Sequence, residues 1–246
     1  MQKIVWLKEI YEEETHLIIV QENEHDSHST FMSAMSIAKQ EGLENPVAEI
    51  FSSALKIESD NILPDPIPLC WLMYETRNDL NERCFILRMT GEPQQAHVLL
   101  EIYSWLLPAM ENIGVNIITC LSYAGNTNLM EAGDLYVYDW ATEERSGVLM
   151  TTNAGLITQS IPIDGFAWVV PFLAKRIMID LEAMFTISIK TDTLIDERAA
   201  TTLCRFLNDT HDLDFDQTII KELGALLNKQ YKSDGPFLGD MFNEDF

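Results

Sequence analysis

One stretch narrows the folds open to this chain more than any other: Cys84 to Gly114, CFILRMTGEPQQAHVLLEIYSWLLPAMENIG, with the apolar run that follows it. Cys84-Phe85-Ile86-Leu87 is uninterrupted apolar sequence of the kind that fills a strand covered on both faces. Gly91 breaks the run. Glu92-Pro93 then suit the first turn of a helix, where proline's fixed φ helps and its missing N–H had no partner. From Ala96 onward, Leu99, Leu100, Tyr103, Leu106, Leu107, Met110 and Ile113 recur at the spacing of one helix face. Pro108 lies inside that stripe and predicts a kink or an early helix end, since an interior proline costs about 3 kcal/mol. Gly114 offers a left-handed stop, and Val115–Leu121 is extended and apolar again. Strand, helix, strand is a βαβ crossover, which implies a parallel sheet covered by helices.

The flanking sequence extends that unit. Lys3–Leu7 reads as a short first strand, and His16–Val20 (HLIIV) as a buried one beyond the acidic Glu12-Glu13-Glu14. Gln21–Thr30 reads as a polar loop, followed by a helix over Phe31–Gln40 with Ser29 or Thr30 as N-cap and Gly42 as its end. Val47–Leu55 predicts a strand, the three prolines within Asp60–Pro68 a turn, Leu69–Tyr74 a strand, and Glu75–Glu82 a charged turn. Leu135–Trp140 alternates in the manner of a strand nearer an edge, and a short helix is expected after Asn153-Ala154-Gly155. Gly165–Ile179 is apolar on most sides and predicts a buried helix, kinked or begun at Pro171; Met184–Ile189 reads as the last strand.

From Asp192 the pattern turns helical. Thr193-x-x-Asp196 resembles a capping box, Ala199, Ala200, Leu203, Phe206 and Leu207 form one stripe, and Ile219, Ile220, Leu223, Leu226 and Leu227 a second. Such a helical pair cannot bury its own core and must dock on the sheet. The expected organisation is an α/β core over residues 1–191, a helical subdomain over 192–232, and an acidic-aromatic tail over 233–246. The fold class is α/β: three layers, with a mostly parallel sheet between helices on both faces.

The chain has 246 residues, 47% of them hydrophobic, enough for one large α/β domain with a small appendage. Its 39 acidic residues against 16 basic ones give a net charge of −23, too few cations to build a face for nucleic acid or an anionic membrane. The acidity fits a highly soluble protein, or an acidic surface that meets a basic patch on a protein partner. Cys70, Cys84, Cys120 and Cys204 show no CxxC spacing and read as buried thiols of a reducing compartment. The apolar run near Phe166–Ala174 is closed by Lys175-Arg176, far short of a membrane span, and Met1–Lys8 lacks the apolar core of a signal peptide. A cytoplasmic protein is expected.

Chemistry-bearing signals are sparse. His25-Asp26-x-His28, with Glu22 and Glu24, is the only concentration of metal-ligand types; in a polar loop it reads as solvated sequence, so neither metal nor cofactor is expected. No G-x-S-x-G elbow, P-loop or G-x-G-x-x-G occurs, and Gln21–Thr30 holds no glycine with which to cradle a phosphate. Ser122, Asn126 and Thr127 follow a central strand at its carboxyl end, where crevices of doubly wound sheets form; they are turn formers or the lining of a small-molecule crevice. His97 falls on the central helix, with a surface or packing role.

At Gly91-Glu92-Pro93-Gln94 the sequence resembles the proteasome assembly chaperone family, the archaeal and bacterial relatives of the second eukaryotic proteasome assembly chaperone. Val47–Ser53, Ile62-Leu63-Pro64 and the helical pair over Thr193–Leu207 and Leu213–Leu227 fit the family's pattern in the same order. The resemblance implies a phosphorylase-like three-layer core, self-association, and a non-enzymatic scaffold role, with proteasome α-subunits as a partner. Two departures go with it. Where the family has a glycine-rich segment, this chain carries ENEHDSHST; where docking members end in hydrophobic-Tyr-any, it has Glu244-Asp245-Phe246. Phe237, Met241, Phe242 and Phe246 of the tail are the candidate partner-binding anchors. The alternative is an enzyme or small-molecule-binding protein using the crevice at Ser122, Asn126 and Thr127.

Overall fold

The computed structural model describes residues 3–21, 27–38, 45–52, 70–89, 96–124, 135–139, 155–156, 165–190 and 196–233. The elements are β1 (Lys3–Trp6), β2 (Thr15–Gln21), α1 (Ser27–Ala38), β3 (Ala48–Phe51), β4 (Cys70–Arg77), β5 (Arg83–Met89) and α2 (Ala96–Glu111). They continue with β6 (Val115–Ala124), β7 (Leu135–Asp139), β8 (Gly155–Leu156), α3 (Gly165–Arg176), β9 (Ala183–Lys190), α4 (Glu197–His211) and α5 (Gln217–Ser233). Among the described residues the strands form one sheet in the order β1-β3-β4-β5-β2-β6-β9-β7-β8. Its centre, β5-β2-β6-β9, is parallel; β4, β3 and β1 add antiparallel on one flank, and β7 on the other.

Helices cover both faces, as the α/β reading expected. On one face, Leu99, Tyr103, Leu106 and Met110 of α2 and Val170 and Leu173 of α3 pack over Leu17, Ile19, Phe85, Leu87 and Ile118. On the other, Phe31 and Met35 of α1, Leu203 and Leu207 of α4 and Ile220 of α5 pack over Ile18, Val20, Ile86, Leu121 and Ile187. β2 is buried along its whole length because its alternate residues serve both cores.

The βαβ unit forms, with one change. β5 and β6 are parallel, yet they are not neighbours: β2 lies between them, Ile18 opposite Ile86 on one side and Thr119 on the other. The crossover therefore spans a strand that precedes it in sequence by some sixty residues.

Several boundaries move for identifiable reasons. α1 starts at Ser27 rather than Phe31, because His28 turns inward and its Nδ1–H donates to the Gln21 carbonyl at the end of β2 (3.1 Å). β4 runs on to Arg77, through residues expected in a charged turn: Glu75 pairs with Lys8 (2.8 Å), and Arg77 makes a bidentate contact with Glu13 (2.6 and 3.0 Å). Gly155-Leu156 pairs with β7 as a two-residue strand. The N-cap of α4 is Asp196, whose Oδ1 accepts from the N–H groups of Arg198 and Ala199, so the capping role expected of Thr193 belongs to Asp196.

Both helical prolines are accommodated inside their helices. Pro108 leaves the Ser104 carbonyl without its intrahelical donor, and Ser104 is exposed, where water can supply one. Pro171 does the same to the Ala167 carbonyl in a buried stretch. There the Thr186 hydroxyl of β9 donates to it (3.3 Å), which lets α3 start at Gly165 and pass through the proline. Gly114, at φ +93°, is the left-handed stop expected of it. Beside it Arg83, 3% exposed, donates to Thr15 Oγ1, to the Tyr11 carbonyl and to the Ile113 carbonyl, each at 2.8 Å. One buried guanidinium thus ties the β1–β2 connection to the α2–β6 junction.

Candidate functional site

The carboxyl end of the parallel strands is where such sheets form crevices. β6 and β9 run side by side there, with Ile118 opposite Met184, Cys120 opposite Thr186 and Ser122 opposite Ser188. These pairs share the face covered by α2 and α3, and they grow more polar toward the strand ends. Ser122 and Ser188 are both fully buried, and among the described residues neither hydroxyl has a hydrogen-bond partner. A buried hydroxyl without a partner costs roughly 1–3 kcal/mol, so two in register mark this end of the sheet as a place where stability is given up. The bond from Thr186 to Ala167, in the first turn of α3, sets the start of that helix beside the same strand end.

What this arrangement can do chemically is limited. Among the described residues no histidine or carboxylate bonds to either serine, so neither hydroxyl has the base that a nucleophile needs. Burial pushes the Cys120 thiol well up, which leaves it a protonated packing group. Two adjacent hydroxyls without a base suit hydrogen bonding to a ligand.

Of the residues singled out in the sequence, Ser122 is placed here, and Asn126 and Thr127 lie outside the described residues. So do Gly91–Gln94, Ile62–Pro64, His25 and Asp26, and the tail residues Phe237, Met241, Phe242 and Phe246. His28 is buried on α1 instead of solvated in a loop, and His97 is exposed on the first turn of α2. The four cysteines form no disulfide; Cys84, Cys120 and Cys204 are buried and Cys70 is half-buried.

Sequence reasoning missed a second polar cluster, at the opposite end of the sheet. His16 is the second residue of β2, His211 closes α4, and their Nδ1 atoms are 3.2 Å apart with the rings edge to face. His211 Nε2 lies 2.9 Å from Thr119 Oγ1, and His16 Nε2 is 3.8 Å from the Glu82 carboxylate. One of the two Nδ1 atoms donates and the other accepts, and the Glu82 carboxylate at 3.8 Å is an electrostatic neighbour of His16, beyond hydrogen-bond distance. The hydrogen-bonded cluster is Thr119, His211 and His16, with the Glu82 carboxylate beside it. Glu82 is itself held by Asn78 (2.7 Å), and the adjacent Asp79 N–H donates to the Asp212 carbonyl just past α4. The apolar run of HLIIV marks His16 as strand, but no sequence signal links it to a helix end 195 positions away.

Comparison with solved structures places this architecture. PbaB of Pyrococcus furiosus, an archaeal proteasome activator, matches with a TM-score of 0.68 over 95% of this chain and 98% of its own, at 13% identity. PbaA of the same organism, an archaeal homolog of proteasome-assembly chaperone, matches with 0.68 over 94% and 91% at 14% identity. A PAC2 family protein from Streptomyces avermitilis gives 0.55 over 90% and 97% at 11% identity. This chain has the fold of those three structures. No family model matches the sequence, and no curated protein does. At such identities the likeness is one of fold, and it agrees with the family resemblance read at Gly91–Gln94 without extending to the phosphorylase-like label. Among the described residues no helix is long and apolar enough to cross a membrane.

Proposed function

We propose that this chain is a non-enzymatic assembly-chaperone-like protein of the proteasome assembly chaperone family, acting as a cytoplasmic homo-oligomeric scaffold with proteasome α-subunits as its partner. The observation that carries the reading is the match to PbaA and PbaB over nearly the whole of both chains. The net charge of −23 adds to it, since an acidic surface steers a protein with a basic patch and repels polyanions. In this reading the helical pair α4–α5 belongs to the scaffold, and the tail residues Phe237, Met241, Phe242 and Phe246 act as anchors. A pull-down with α-subunits of the native host's proteasome, comparing the full chain with one ending at Ser233, tests both parts. The full chain should recover α-subunits and the shortened chain should recover less. Equal recovery removes the tail from the mechanism, and recovery by neither sinks the proteasome link.

A second reading, a small-molecule binder, is favoured by one observation: the hydroxyls of Ser122 and Ser188, which have no partner among the described residues. With no ligand present, alanine at both positions should leave the protein more stable, by about 1 kcal/mol per hydroxyl relieved. A lower unfolding midpoint for the double variant would show that both hydroxyls are satisfied and would remove the basis for a site there.

A further inference from the structure

Ser122 and Ser188 end two columns of side chains on the face covered by α2 and α3: Ile118, Cys120 and Ser122 on β6, and Met184, Thr186 and Ser188 on β9. A third column belongs to β2. Leu17 and Ile19 lie in the same core, so strand alternation puts Gln21 on that face too. Val20 pairs with Leu121, which sets Gln21 beside Ser122. Three neighbouring parallel strands therefore end in a row of neutral polar side chains, with Gln21 5% exposed and both serines 0%. Polar groups buried so deeply at a strand end, two of them without a partner among the described residues, are arranged for something that is not protein.

α3 stands over the end of this row. Its outer side carries Trp168, 55% exposed, and Phe172, 47% exposed, while Ala167 and Val170 are fully buried on the side that faces the strands. The helix ends at Arg176 and the chain re-enters the sheet at Ala183, so α3 runs against the direction of β9. Thr186 meets it at Ala167, the third helical residue. Ser188 lies two residues further along β9, about 6.5 Å at the rise of a strand. The two helical residues before Ala167 span only about 3 Å. Ser188 is thus level with a point just beyond the start of α3, toward which the first N–H groups of the helix point without intrahelical acceptors. We infer that the row binds a singly charged oxyanion, the carboxylate of a small organic acid, held by the Ser122 and Ser188 hydroxyls, the Gln21 amide and the N-terminus of α3. The inference rests on the small-molecule reading of the two serines and adds the chemistry of the ligand. A hydroxyl accepts or donates and does not choose a charge, whereas a helix N-terminus favours an anion. The cost of desolvating an ion grows with the square of its charge, and the described row offers only neutral donors. Arg88, near the end of β5, lies over the Tyr74 ring on the opposite face. A dianion calls for a cation beside it, and the net charge of −23 repels it twice as strongly as a monoanion.

Urea unfolding of the full chain in rising sodium acetate, with sodium chloride holding the ionic strength constant, is the measurement. A ligand that binds only the folded chain raises the midpoint by mass action. The wild-type midpoint should rise with acetate, and acetamide, the neutral isostere, should leave it unchanged. Ser122→Ala/Ser188→Ala should raise the half-saturating acetate concentration at least about tenfold, the loss of two hydrogen bonds to a charged group. Sulfate should shift the wild type and the double variant equally, as a salt acting on the whole surface does. The contrast of acetate with acetamide needs only the wild type, so it decides the sign of the ligand even if the variant folds poorly. Acetamide as effective as acetate overturns the anion, and an acetate shift of equal size in the double variant overturns its place at the serines. A sulfate shift confined to the wild type overturns the single charge. No acetate response up to about 100 mM overturns the inference as a whole, because a millimolar ligand then moves the midpoint plainly. The fate of the small-molecule reading is separate: it stands if the double variant without ligand is the more stable protein, and falls if it is the less stable.

Discussion

Burial lowers the pKa of His211 to about 3, and the ring of His16 beside it pushes the same way. His16 is also lowered, by its own burial, against the opposing carboxylates of Glu82, Glu14, Glu182 and Asp212. Both rings are therefore neutral in the folded protein at ordinary pH, and the 3.2 Å approach of their Nδ1 atoms is compatible with that, since only one of the two can carry a proton there. Between about pH 6.5 and about 3 the unfolded chain binds a proton at position 211 that the folded chain excludes. The stability contributed by the neutral ring is complete above pH 6.5 and is lost as the pH falls, at up to ~1.4 kcal/mol per unit. Urea unfolding at about pH 7 and about pH 5 should give a smaller loss for His211→Gln than for the wild type. Parallel losses would mean that His211 titrates normally and that the buried pair is misassigned. Single residues of this kind were illegible beforehand: a histidine in an apolar strand and another at a helix end look like any others until the fold brings them together.

At the scale of elements, the α2–β6 junction carries the most concentrated set of constraints. Gly114 sits at φ +93°, its N–H donates to the Glu111 carbonyl, and its own carbonyl accepts from Thr15 N–H (2.9 Å). A Cβ on Gly114 would overlap the Glu13 carbonyl. Gly114→Ala combines left-handed strain with a backbone clash and should cost about 3 kcal/mol, read as a lower denaturant midpoint at unchanged slope. A cost below about 1 kcal/mol would show that the junction relaxes freely. This glycine was legible because an apolar helical stripe ended at it and an extended run began. The behaviour of Pro171 was not: the donor that makes it tolerable in the helix is Thr186, on a strand that follows the helix, and no local pattern reports such a bond. The early start of α1 was hidden for the same reason, since His28 is drawn inward by the Gln21 carbonyl.

For the whole molecule, the sheet order separates what is local from what is not. Apolar runs and helical stripes report which faces are buried, and burial is decided residue by residue; hence the α/β class, the strand at His16–Val20, the crossover from β5 to β6 and the two C-terminal helices were all readable. Which strand lies beside which is decided by pairing over long separations, and apolar strands of similar composition are interchangeable to a local reading. The insertion of β2 between β5 and β6 follows only from the register of Ile18 with Ile86 and Thr119. The same holds for the candidate sites. Ser122 was legible at a strand end, whereas Ser188 joined it only when β6 and β9 came into register. Trp168 and Phe172 were read as part of a buried helix, because a mostly apolar segment does not say which of its faces the sheet will cover. By itself the sequence determined most of the elements and the layered architecture, both of which rest on composition and short-range periodicity. Only the tertiary structure decided the strand order, the neutral His16–His211 pair and the aromatic stripe left facing outward. Each of those depends on groups that are distant in sequence and meet only when the chain is folded.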